Sequence, residues 1–409
     1  MRFLFIVTES ESANGICTKT VMEQLVSKHH VWCITNREYN GRKYYEEKGV
    51  RYLTVAPRLI YRFESMIAHG HPCKWLLARL VALINKPKLL LTICMWPWIS
   101  PMYTRRIFRK AFRLCTEKQI DCIVPIYTQI DTLIAAKRIK EKIPSIRFVP
   151  YFLDSLSGGY GPRFFSREWI CARGQKWERK ILPSADEIIV MESSRAHHMK
   201  YSSDALYYDK MHFFDLPLLR TAEMESGDPL MDAEKRNFVY VGTLPDGIRS
   251  PAYVLEMFSH LHGEQWQFWF VGSSGCAVLE EAALTDRRIH IVGRVPHELA
   301  LRYEAQADVL VNIGNSNPHM TPSKIFEYFS FGKPILSTRA IEGEPSSAYL
   351  ARYPLALILD EVTDSPQLAA TKVEAFVKDY EGCAVDPMQI RQIYYNNTPG
   401  AVVEFLQRC

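Results

Sequence analysis

Residues 312–338 read NIGNSNPHMTPSKIFEYFSFGKPILST, and they carry the limits of a helix. Thr321 can cap it, Pro322 suits its first turn, Gly332 suits a left-handed end and Pro334 prevents continuation. A short buried strand, 334–338, is expected to follow. Lys324 and Glu327 stand three residues apart and share one face, while Ile325, Tyr328 and Phe329 form an apolar stripe for packing on a sheet. A helix that starts after a strand aims its free N–H groups outward at the strand's carboxyl end, where anions bind. Lysine adds charge there, and glutamate can accept two sugar hydroxyls. On a solvated face the same pair would be a simple ion pair worth about 0.2–0.5 kcal/mol.

Around this stretch the chain alternates strands and helices. Strands are expected at 237–242, 267–272, 288–293, 308–314, 334–338 and 356–360 with helices between them, which predicts a doubly wound parallel sheet. The first half repeats the plan, with strands at 2–7, 29–35, 50–56, 121–127, 146–152 and 187–192 and a final one in MHFFDLPLL. The polar, acidic RTAEMESGDPLMDAEKR between the halves reads as a linker. The fold class is therefore α/β with two Rossmann-like domains, the first over 1–218, a linker over 219–236 and the second over 237–387.

Bulk composition agrees with that size. The chain has 409 residues, 47% hydrophobic and 23% charged, enough for two cores. Its net charge of +5 does not imply nucleic acid but is compatible with an anionic nucleotide or membrane surface. The ten cysteines fall mostly in apolar contexts without CxxC or Cys/His ligand spacing, so reduced core residues and no metal centre are expected. The opening MRFLFIVTES reads as a strand running into a polar loop, so no signal peptide and a cytoplasmic location are expected.

Strand-end loops of such sheets face the ligand crevice. In the second half these are GTLPDGIRSP, GSSG and the polar loop before Lys324. Gly242 and Gly272 bare backbone N–H groups there, and Arg249 precedes a helix opened by Pro251, a combination that suits a diphosphate. In the first half Gly15 permits close backbone approach or simply a tight turn, and the absence of GxGxxG does not support dinucleotide binding. Asp154, after the strand ending near 152, is either an acceptor-side residue or a helix cap.

The run DVLVNIG, the polar loop with Asn315, Ser316, Asn317 and His319, and then TPSKIFEYFSFGKPILS resembles the signature of GT-B glycosyltransferases. Within them it is similar to the large retaining family four, in its branch of capsule and lipopolysaccharide enzymes. The resemblance implies two Rossmann-like domains facing a central cleft, with 388–409 as a helix returning to the first domain. It implies a nucleotide-diphosphate sugar donor, a glycan or lipid-linked acceptor, and transfer with retention. Arg249 and Lys324 resemble the pair that neutralises the leaving diphosphate, although Thr243 stands where the family usually has an arginine. Glu327 resembles the ribose-binding glutamate, with Ser323 beside it, and the backbone at Arg294 and Val295 resembles the segment that receives the base. Gly15 and Asp154 resemble residues of the first domain near donor phosphate and acceptor. Eight positions before Glu327, where the family has a second glutamate, stands His319. A neutral imidazole can hydrogen-bond a sugar hydroxyl but presents no fixed negative charge, which assigns His319 to sugar positioning.

No cofactor or metal is expected beyond the donor, because no Asp-x-Asp pair is present and the protein's cations can stabilise the leaving group. Residues 75–113 combine an apolar run with Arg105, Arg106, Arg109, Lys110 and Arg113, and Pro87 and Pro97 are expected to break helices there. The run is too short to span a bilayer, and it fits either a helix lying on the inner face of the cytoplasmic membrane or a core helix pair with a solvated basic face. Two other functions suit the same residues, a sugar-nucleotide epimerase and a non-catalytic protein that binds nucleotide sugar or membrane.

Overall fold

The computed structural model describes residues 1–409 apart from 9–12, 38–41, 57–60, 69, 160, 163–164, 220–226, 246, 317–323 and 409. Two compact units result, Met1–Pro217 with Pro399–Cys409, and Leu218–Thr398.

The first unit contains strands β1 (Arg2–Val7), β2 (His30–Asn36), β3 (Tyr44–Glu47), β4 (Val50–Val55), β5 (Cys122–Tyr127), β6 (Arg147–Phe148), β7 (Tyr151–Phe152), β8 (Ile188–Met191) and β9 (Met211–Phe214). Its helices are α1 (Ala13–Leu25), α2 (Tyr61–Ala68), α3 (Lys74–Met95), α4 (Pro101–Lys118), α5 (Ile130–Lys142), α6 (Arg167–Ile181) and α7 (Arg195–Ser202). The strand order is β3-β4-β2-β1-β5-β7-β8-β9, with β6 also on β5. All pairings are parallel except β3 with β4. Phe3 to Val7 are buried along their whole length, as a strand covered on both faces by helices must be. Ile107, Ala111, Leu133 and Ile139 from α4 and α5 fill one side of that core.

The second unit contains β10 (Arg236–Val241), β11 (Trp266–Val271), β12 (Ile289–Gly293), β13 (Val309–Ile313), β14 (Ile335–Arg339) and β15 (Ala356–Asp360). Its helices are α8 (Ala252–Ser259), α9 (Ala277–Thr285), α10 (His297–Gln306), α11 (Lys324–Phe329), α12 (Ser347–Leu350), α13 (Pro366–Asp379) and α14 (Pro387–Ile393). The sheet is wholly parallel in the order β12-β11-β10-β13-β14-β15. Phe238, Phe258, Phe268 and Phe270 interlock in its core beside Val311 and Leu336.

Several expectations need correction. Tyr44–Glu47, read as polar loop, forms an antiparallel edge strand because Tyr45 stacks on Tyr52 with ring centroids 4.7 Å apart. The strand expected over 146–152 is two short strands, consistent with Pro150 between them, which has no N–H to give the ladder. Pro87 lies inside the continuous α3, since a helix can run on past a proline at the cost of one backbone hydrogen bond. The segment read as a free linker packs onto α10 from residue 228 onward: Arg302 Nη2 donates to the Asp228 carbonyl at 2.8 Å and Leu230 N to Gln306 Oε1 at 2.7 Å. The segment expected over 388–409 divides, α14 staying in the second unit and α15 (Pro399–Arg408) joining the first. There Arg147 Nη1 donates to the Leu406 carbonyl at 3.0 Å, and the Phe405 ring lies 4.5 Å from that of His212. Among the described residues no helix is long and apolar enough to cross a membrane.

Candidate functional site

In the second unit the chain reverses its winding direction between β10 and β13, and a doubly wound sheet opens its ligand crevice at that point on the carboxyl edge. The loops that leave those two strands are tied together. Ser316 N donates to the Ile248 carbonyl at 2.9 Å and Ser316 Oγ to that of Gly247 at 2.8 Å. Arg249 Nε donates to Oδ1 of the fully buried Asn315 at 2.7 Å, so the guanidinium expected to meet a diphosphate is held from across the switch point. Gly242 lies beneath it: a Cβ there would come 3.1 Å from Tyr240 Oη and 3.8 Å from Arg249 Nη1. Gly242 in turn receives Ser273 Oγ on its carbonyl at 2.7 Å, and a Cβ on Gly272 would touch that same carbonyl at 3.5 Å. Gly242, Gly272 and Arg249 thus share one place.

The helix read from the sequence is α11, and its turn ends at Gly332 in the left-handed conformation with φ 69°. Its apolar stripe is buried as expected, and Tyr328 also carries a polar tie, its hydroxyl accepting from Val241 N at 2.9 Å. That bond fixes α11 against the end of β10, hence beside the Gly242 loop. Lys324 Nζ lies 2.9 Å from Glu327 Oε1. Ser323 and His319, with Thr321 and Pro322, lie outside the described residues.

Lys324 has a second partner that sequence reasoning missed. Glu304 of α10 is wholly buried, and its Oε1 lies 3.0 Å from Lys324 Nζ. Burial alone would lower the Lys324 pKa, but Glu304 and Glu327 together outweigh it and hold the ammonium above its ordinary value. Burial pushes the Glu304 carboxyl up; Lys324 opposes that and Glu327 reinforces it. The signal was present in the sequence, because Glu304 shares the inward face of α10 with Ala300 and Tyr303, where an acid is out of pattern.

A second buried carboxylate on the same edge, Glu344, was also missed. Its Oε2 accepts from Ser346 Oγ at 2.5 Å and from Ser347 N at 2.9 Å, and Asn312 Nδ2 joins the group by donating to Ser337 Oγ and Ser346 Oγ. Arg294 and Val295 follow β12, one strand further out. Gly272 N donates to the carbonyl of the preceding Gly293 at 2.6 Å, which anchors that loop to the Gly272 turn.

In the first unit, Asp154 Oδ2 accepts from Asn14 Nδ2 at 2.6 Å, which joins the start of α1 to the loop after β7. Gly15 is buried in the first turn of α1 rather than in the loop. Behind Asp154, Ser157 N and Oγ donate to Glu178 Oε1 and Oε2 at 3.0 and 2.9 Å, and His197 Nε2 lies 2.8 Å from the same hydroxyl. Burial pushes Glu178 up to about 7 despite those bonds and lowers His197.

Residues 235–370 match the family model for glycosyl transferases group 1. No curated protein sequence matches the chain. Among solved structures it is similar to a glycosyltransferase from Rickettsia africae ESF-5, with a TM-score of 0.64 and 10% identity over 100% of this chain and 97% of that one. Anabaena HepE in complex with UDP gives a TM-score of 0.62 and 11% identity over 100% of both chains. The apo form of the lipopolysaccharide outer core galactosyltransferase WaaB gives 0.54 and 11%, again over 100% of both. At these identities the likeness to solved structures is one of fold.

Proposed function

We propose that this chain is a glycosyltransferase that moves a sugar from a nucleotide-diphosphate donor onto a glycan or lipid-linked acceptor in surface polysaccharide synthesis, a reading supported by the match of residues 235–370 to the glycosyl transferases group 1 model and by the GT-B fold of its structural neighbours. The observation that carries the donor reading is the placement of Lys324 and Glu327, by the Tyr328 bond to Val241, beside the loop that holds Arg249. Arg249 and Lys324 supply fixed positive charge for the diphosphate oxygens, and Glu327 accepts two ribose hydroxyls. In the reaction an acceptor hydroxyl oxygen bonds to the anomeric carbon and the bond from that carbon to the diphosphate oxygen breaks. The hydroxyl proton leaves with the diphosphate, whose growing charge the two cations stabilise. We assign Asp154, held by Asn14, to the acceptor and His319 to the transferred sugar, with retention of configuration.

The partner that suits the first unit is an anionic membrane surface. α4 buries Tyr103, Ile107, Ala111 and Leu114 and leaves Arg105, Arg109 and Arg113 exposed one turn apart. Along α3, Trp75, Leu76, Leu80, Leu83 and Ile84 are exposed, with the Arg79 guanidinium 5.5 Å from the Trp75 ring. Exposed apolar side chains flanked by arginines suit a lipid interface with negative headgroups. Membrane access fits a lipid-linked acceptor, and the WaaB likeness supports a place in surface polysaccharide assembly.

The test is incubation of the full chain with a panel of nucleotide sugars, UDP-sugars first, with and without a membrane extract. The expected result is acceptor-dependent release of nucleoside diphosphate, lost in Lys324→Ala and Arg249→Ala, and a product whose anomeric configuration by NMR matches the donor. An epimerised nucleotide sugar formed without acceptor would overturn the transferase reading, and an inverted product would overturn retention.

A further inference from the structure

We propose that Glu304 is a positioning residue of the donor site, which holds the Lys324 ammonium from below and sets the charge that an arriving diphosphate meets. The proposal rests on the donor reading of Lys324. Lys324 Nζ stands between two carboxyls, 3.0 Å from Glu304 and 2.9 Å from Glu327, and belongs to neither alone. Taking a carboxylate out of water is costly unless its partners recover it, and a residue on the inward face of α10 that only filled space would be aliphatic. Glu304 is only partly compensated, since the single ammonium of Lys324 is shared with Glu327 and the Glu327 carboxyl itself lies against it.

One ammonium therefore serves two carboxyls, and the group holds either a surplus negative charge or an extra proton. The charged and titratable groups around Glu304 are Lys324 and Glu327, with the Tyr328 phenol on the same helix also sensing its charge. Burial and Glu327 both favour the protonated Glu304, and only Lys324 opposes them. A diphosphate that engages Lys324 weakens this opposition, so donor binding draws a proton onto Glu304. Discharging that carboxyl removes repulsion from the floor of the site at the moment an anion enters. The aspartate one methylene shorter keeps the charge but withdraws it from Nζ, and the glutamine keeps the shape but cannot titrate.

Calorimetric titration of the full chain with a series of nucleoside diphosphates, in two buffers of different ionisation enthalpy, reads the proton count directly. Wild type is expected to take up protons on binding the tightest of them. Glu304→Gln abolishes the uptake and flattens the dependence of donor KM on pH between about 6 and 9, while Glu304→Asp keeps the dependence and weakens binding roughly tenfold, about 1.4 kcal/mol. A Glu304→Gln protein with wild-type proton uptake and an unchanged KM profile would overturn the proposal. Lys324→Ala separates the two levels: unimpaired binding in that variant, or no binding by wild type at all, sinks the donor reading and this inference with it.

Discussion

Arg249 and Asn315, 66 residues apart in sequence, meet through a 2.7 Å hydrogen bond that spans the switch point between β10 and β13. The amide oxygen aims the guanidinium and takes one of its five donors, the Tyr240 hydroxyl meets another, and the rest are left for a ligand. Asn315→Ala is expected to raise donor KM about fivefold to tenfold with a smaller effect on kcat, because the cation remains but loses its aim. Arg249→Lys is expected to lose more than Asn315→Ala, since an ammonium cannot reproduce the planar fork. Steady-state kinetics on both variants checks this, and equal values in Asn315→Ala and wild type would show that the tie has no part in binding.

Gly332 and Gly275 have nearly the same left-handed φ, 69° and 73°, in different surroundings. A Cβ on Gly332 would lie 2.7 Å from the Val385 carbonyl oxygen, whereas one on Gly275 would meet nothing within 4 Å. Gly275→Ala should cost about 1–2 kcal/mol, the conformational term alone. Gly332→Ala should cost more, roughly 2–4 kcal/mol, because α11 must also shift from the 385 segment. Urea unfolding of the two variants gives the comparison directly.

Glu178 makes the first unit less stable as pH rises from acid to neutral. Its ordinary value of 4.5 is raised to about 7 by burial, so over that range the folded state keeps a proton that the unfolded chain has released, and stability falls as pH rises. His198 acts in the opposite sense. Burial lowers it from 6.5 to about 4, so stability is lost as pH falls through that interval. Glu178→Gln preserves shape and can still receive Ser157 N, with its amide donating to Ser157 Oγ. The Tm of the variant relative to wild type is expected to rise between about pH 4.5 and pH 7, and a constant difference would mean that Glu178 is ionised in the fold throughout.

Liposome flotation tests the basic stripe of α4. The full chain should float with vesicles containing anionic lipid at low salt and less at high salt, since the attraction is screened over about 10 Å at 0.1 M. Replacing Arg105, Arg109 and Arg113 together with glutamine should reduce flotation at low salt and leave the fold intact, because all three are exposed. Undiminished flotation of the triple variant would remove this face from the membrane reading.

How far the sequence could be read depended on the range of the forces involved. The end of α11 at Gly332, its Lys324–Glu327 pair and the six parallel strands of the second unit come from periodicity and turn chemistry within a few residues, so they were legible. Arg249 could be nominated because strand-end loops converge in this topology, though Asn315 as its holder could not. Glu344 escaped because it looks like an ordinary surface acid until tertiary packing closes over it, and Glu304, out of pattern on the inward face of α10, gave no sign of the cation it would meet. The Ser157, Glu178 and His197 group joins residues 21 and 40 positions apart, and no local pattern announces it. Tyr44–Glu47 is a strand through what it meets on β4, where Tyr45 stacks on Tyr52 and Glu46 pairs with Arg51, cross-strand preferences invisible in one segment.

Leu219 N donates to the Asn397 carbonyl at 2.9 Å, so the chain enters and leaves the second unit through neighbouring residues. The second unit is in effect a loop closed by one hydrogen bond, inserted between β9 and α15. During synthesis its sheet is complete before α15 exists, while the first unit, begun earlier, still lacks the helix that covers α1 and receives Arg147. The half of the protein translated first is thus the half completed last, and a truncation after Thr398 should leave the second unit folded while exposing the flank of α1 in the first.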